Sequence, residues 1–235
     1  MIAIPVARET GRSTVVVDNI PGKDIPMPTT TVSRAATTAL VGGVLWALPP
    51  VAFGLVSLQE TEFGSAEFVA VAASYWLFGV LPPVLLVVAY LRLRDALGTG
   101  RAARIGGALA ATGLLAMALG NGIEVASMTA GGGEVGLGHA FFLGGFLVSI
   151  VGGVLLGIVV VRQRPDRLSR IAGLVMALAL PLGIAVGVLG SSIDPHDDAW
   201  FFAAITVPTG VAWLLLGAAL RPAGRAAAVE FSPAS

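Results

Sequence analysis

Glu124 stands within a long apolar stretch where an ionised carboxylate costs several kcal/mol, so its side chain is expected to face protein or water, not lipid. On a helix its face carries Gly120, Asn121, Ser127 and Met128, a small and polar stripe suited to burial against a neighbour. His139 lies at a similar depth at the start of the next apolar stretch. The short connection makes the two helices antiparallel neighbours, so a Glu124–His139 contact is easy to form. A carboxylate beside an imidazole relays protons, binds a cation, or simply satisfies itself. Glu124, His139 and Asn121 are therefore the candidate ion or proton site.

The other histidine, His196, sits in Asp194-Pro195-His196-Asp197-Asp198. Oxygen and imidazole donors together suit Zn, Mn or Fe(II), which makes Glu124, His139, Asp194 and His196 a candidate metal set. Short-spaced ligand pairs of the H-x-x-x-H or H-E-x-x-H kind are absent, and an acidic loop is ordinarily just solvated. With no Cys there are no disulfides, thiolate sites or thiol nucleophiles. G-x-S-x-G, P-loop and dinucleotide fingerprints are also missing, so nothing names a cofactor and the sequence does not point towards an enzyme.

These residues need elements to hold them, and composition says what kind. Charged residues make up 12% of the chain and apolar ones 56%, too little charge to clothe a soluble globule, so lipid is the solvent for much of the surface. Crossing ~30 Å of hydrocarbon takes about 20 apolar residues in a helix. Six stretches qualify, at about 35–59, 68–91, 105–130, 135–161, 171–193 and 199–220. Period-2 alternation is absent, so the expected fold is all-α.

The basic residues fall only in alternate gaps: Arg8, Arg12, Lys23 and Arg34; Arg92, Arg94, Arg101 and Arg104; Arg162, Arg164, Arg167 and Arg170; Arg221 and Arg225. The intervening gaps hold Glu60, Glu62, Glu67, Glu134, Asp194, Asp197 and Asp198. The positive-inside rule then places both termini in the cytoplasm and makes a polytopic integral protein of the cell membrane, six transmembrane helices in three antiparallel hairpins. The expected divisions are a disordered N-terminal tail 1–33, a transmembrane domain 34–221 and a cytoplasmic tail 222–235. Met27, just before PTTTVSRAATT, offers an alternative start. Thirteen Arg to one Lys, in an Ala/Gly/Val-rich chain, suits a prokaryotic G/C-rich genome. Net charge is zero and the Arg clusters are explained by topology, so a nucleic-acid partner is not expected; the lipid bilayer is.

Pro49-Pro50 and Pro82-Pro83 fall mid-span, where each proline removes a donor and crowds the preceding turn; both helices are expected to kink there. Tyr75, Trp76, Tyr90 and Trp200 suit interfacial anchoring. Gly145, Ser149, Gly153 and Gly157, and Gly183 with Gly187, give small faces for close helix packing within the chain or in a homo-oligomer. Matches such as Arg104-Ile105-Gly106-Gly107 with Arg170-Ile171-Ala172-Gly173 suggest a threefold hairpin repeat, although such matches arise freely in apolar helices. Three functions fit: an ion or small-solute transporter or channel-like bundle, a non-catalytic accessory or sensor module, and a membrane-embedded metal-assisted enzyme.

Overall fold

The computed structural model describes residues 29–48, 61–132, 135–193 and 199–230. It is all-helical over them: α1 (Thr29–Ala47), α2 (Ala66–Tyr75), a five-residue π turn (Trp76–Val80), α3 (Leu81–Leu97), α4 (Gly100–Thr129), α5 (Gly136–Gln163), α6 (Arg167–Ile193) and α7 (Ala199–Glu230). Among the described residues, five runs are long and apolar enough to cross a membrane: Ala66–Leu97, Gly100–Thr129, Gly136–Gln163, Arg167–Gly190 and Ala203–Arg221. The sixth expected span is α1, whose continuation to residue 59, with Pro49 and Pro50, lies outside the described residues.

The helices run further than the apolar windows at their basic ends, as in α3, which carries Arg92 and Arg94 to Leu97. Hydropathy marks only the hydrocarbon segment, whereas intrahelical hydrogen bonding continues through the headgroup zone. Local chemistry sets several ends. Ser65 caps α2, its hydroxyl accepting from the Phe68 amide at 3.0 Å. Asp166 does the same for α6, accepting from the Ser169 amide at 2.7 Å. Burial alone would raise the Asp166 carboxyl, but the Ser169 amide and nearby Arg164 more than offset this and hold it below the ordinary range. Gly131, at φ 78, ends α4: the Gly131 amide donates to Met128 O and the Gly132 amide to Ser127 O.

Leaving α2 aside, each helix packs against the next, α1 on α3 and so on to α7, and α1 packs against α7, so these helices close into a ring: α1, α3, α4, α5, α6, α7 and back to α1. The largest interface is α4 with α5, followed by α1 with α7. Glycines explain both. A methyl on Gly145 would stand 2.6 Å from Gly113 O and 2.7 Å from Met117 N; one on Gly120 would stand 2.5 Å from Gly138 O. Across the ring, a methyl on Gly43 would stand 2.6 Å from Gly210 O and one on Gly217 2.7 Å from Ala36 O. Each seam repeats every seven residues (Gly106, Gly113 and Gly120 facing Gly138, Gly145 and Gly152; Ala36 and Gly43 facing Gly217 and Gly210), the period that keeps two antiparallel helices in register. Gly113–Gly145 thus corresponds to Gly210–Gly43, and Gly120–Gly138 to Gly217–Ala36. The two seams lie on opposite sides of the ring.

The small faces on α5 are used inside the chain. Gly145 meets α4, and Gly157 approaches Gly173 O on α6 at the same close range. Gly183 abuts Ile205 of α7. Tyr90 departs from the interfacial role expected of it: it is buried, with its ring filling the space over Gly107. A phenol packed against a glycine surface in the core gains more contact than it would among headgroups.

Candidate functional site

The seam between α4 and α5 positions the acid and the imidazole. Because Gly138 has no side chain, the Glu124 methylenes lie directly over it; a methyl there would stand 2.6 Å from Glu124 Cγ. Glu124 Oε1 is thereby brought to 3.7 Å from His139 Nδ1, ion-pair range and longer than a hydrogen bond. Their surroundings differ. The His139 side chain is 62% exposed, the Glu124 side chain 18%, and Oε1 itself is shielded. The expected contact forms, with one wet member and one sheltered member.

Asn121, on the same side of α4, has a defined partner on another helix. Its Nδ2 donates to Gly79 O at 2.8 Å. The need for this bond follows from the sequence. In an α-helix Gly79 O would accept from residue 83, and Pro83 has no N–H. The chain answers the two prolines with a π turn, in which the Leu81 amide donates to Trp76 O, and with Asn121 from the neighbouring helix. Pro82 and Pro83 therefore do not break their span: helical structure continues from Ala66 to Leu97, with the prolines buried in the first turn of α3. The expected kink appears as a change of hydrogen-bond register, and the exposed carbonyl it implied at residue 79 is covered.

Asp194 and His196 lie outside the described residues, as do Pro49 and Pro50. Among the described residues, no group of three or more His, Asp or Glu gathers as a metal centre. Of the proposed metal set, only Glu124 and His139 are placed, and they adjoin.

The sequence does not show the cavity at the centre of the ring. All six ring helices line a central cavity of about 30 Å³. Its walls are mainly apolar, including Leu86, Phe146 and Met176, with Trp46, Thr209 and Ser149 as the polar members. Trp46 Nε1 donates to Thr209 Oγ1 at 2.9 Å, and that hydroxyl donates to Ile205 O at 2.7 Å. Ser149 Oγ donates to Phe146 O at 2.8 Å. The available signal was Trp46 itself, an indole well inside a span and away from the interfaces where tryptophan usually anchors. A volume this size admits a water or two and no organic solute.

No family model, curated protein or solved structure matches the chain.

Proposed function

We propose that this multi-pass helical protein is a six-span bundle with both termini cytoplasmic, which passes protons or a small cation by way of Glu124–His139. The observation that carries this reading is the 3.7 Å approach of an exposed imidazole to a shielded carboxylate. Imidazole and carboxylate are both groups that can take up and release a proton, and here the wet member adjoins the sheltered one. The placement of the termini rests on the alternating basic gaps.

The experiment is proton flux in liposomes containing the purified protein, followed with an entrapped pH dye under an imposed gradient. Wild type should accelerate equilibration, and Glu124→Gln, which keeps shape but cannot ionise, should lower the rate at least tenfold, within the range that removing a proton-transfer group produces. Equal rates for wild type, Glu124→Gln and empty liposomes would reject the reading.

The accessory or sensor module is a second reading, supported by the glycine seams. Backbones in van der Waals contact along two opposite interfaces suit a rigid scaffold, and that reading predicts no flux from any variant. The metal-assisted enzyme would need a third ligand such as Asp194 or His196.

A further inference from the structure

α2 is held differently from the rest of the bundle. Its buried side chains are Phe68 and Ala72, which form a small cluster of their own with Val71, Tyr75 and Met128. α3, continuous with it in sequence, buries Leu86, Val87, Ala89, Tyr90, Leu93 and Leu97 in the main core. The boundary between the loosely and the firmly held parts is the π turn, and Asn121 reaches across to that turn at Gly79. Trp76 also lies over Gly122 of α4, 3.8 Å from where a methyl would be.

At 100° per residue, the faces of α4 sort clearly. Gly113, Gly120 and Glu124 point at α5, whereas Asn121 and Met128, further round the helix, meet the π turn and α2. A π turn holds one residue more than the α-helical path. Converting it to α geometry would turn the ten-residue arm by about 100° and shift it by roughly 1.5 Å. Phe68 and Ala72 would then leave Met128.

We propose that α2 is a strap over the Met128 side of α4, hinged at the π turn Trp76–Val80 and latched by the Asn121–Gly79 hydrogen bond. Pro83 makes the latch necessary, because it denies Gly79 O an α-helical partner; Asn121 supplies one and so holds the hinge in its π register. The inference concerns motion of α2 and stands whether or not Glu124–His139 carries protons, so labelling and flux fail independently.

The chain has no cysteine, so one introduced thiol reports cleanly. Met128→Cys, under the strap, is reacted with a water-soluble maleimide in the full-length protein in nanodiscs. Leu137→Cys, exposed at the start of α5, is the control. Adding Asn121→Leu should raise the rate at position 128 by roughly three- to tenfold, the shift expected from losing one interhelical hydrogen bond, and leave position 137 unchanged. Pro83→Ala restores a donor to Gly79 O within the helix. It should change the rate at 128 on its own and abolish the effect of Asn121→Leu, since the latch is no longer needed. An unchanged rate at 128 in Asn121→Leu, or an equal rise at 128 and 137, overturns the proposal. Should Asn121→Leu fail to fold, Pro83→Ala decides alone: labelling at 128 that equals wild type rejects the hinge.

Discussion

Glu124 and Asn121 lie three residues apart on one helix, and the sequence makes both of them polar members of a lipid-depth stripe. Their roles separate only when neighbours are added: Glu124 meets His139, and Asn121 serves the carbonyl that Pro83 leaves open. The sequence could say that Gly79 O lacks a helical donor, because that follows from a proline four residues on. It could not say who supplies one. At this scale two outcomes are expected. If Glu124 and His139 bind a divalent ion, a thermal-shift series with Zn or Mn should stabilise wild type and not Glu124→Gln; identical shifts in both would remove the pair as a cation site. Asp166→Ala should cost about 1 kcal/mol as a lost helix cap, read from the denaturation midpoint in detergent. The Asp166 carboxyl is held below its ordinary value of 3.8. Its contribution is therefore fully present above that value and disappears as pH falls through the lower folded value. Wild type should lose part of its advantage over Asp166→Ala only below about pH 4. A difference that persists unchanged to pH 2 would show that the carboxylate is not the cap.

Among elements, the glycine seams give the sharpest test because adjacent residues should behave oppositely. Gly145 faces backbone of α4, where a methyl would stand 2.6 Å from Gly113 O, while Gly144 has open space around the same position. Gly145→Ala should destabilise by about 2 kcal/mol or more, since rigid backbone must move apart along the seam. Gly144→Ala should be neutral or stabilising by up to about 1 kcal/mol, from helix propensity alone. Similar midpoints for the two variants in a detergent unfolding series would contradict the seam. The presence of glycines in α5 was legible, and so was their fitness for close packing. The seven-residue register was not, because Gly138, Gly145 and Gly152 acquire meaning only opposite Gly106, Gly113 and Gly120. Pro82-Pro83 shows the same limit. Two missing donors are certain from sequence, but whether the chain bends, breaks or takes up a π turn depends on what lies beside it.

For the whole molecule, closure of the ring through α1 and α7 creates a core that no hairpin contains. Trp46 on α1 reaches Thr209 on α7, and both line a cavity shared by all six helices. The orientation proposed from the basic gaps can be checked on intact cells. A cysteine at Leu137 should react with an impermeant thiol reagent from outside, and one at Asp166 only after permeabilisation; the reverse pattern would invert the topology. By itself the sequence determined the all-helical class, the approximate span limits for the described helices and the adjacency of Glu124 and His139. Those follow from local quantities: the water-to-lipid transfer cost of each window, the obligatory satisfaction of backbone groups in lipid, and the shortness of one connection. Tertiary structure decided the ring order, the paired seams, the hand-off of Gly79 to Asn121 and the burial of Tyr90. In a bilayer every helix is apolar all round, so hydrophobic periodicity carries little information about which face meets which neighbour. That choice falls to close packing and single hydrogen bonds between residues distant in the chain.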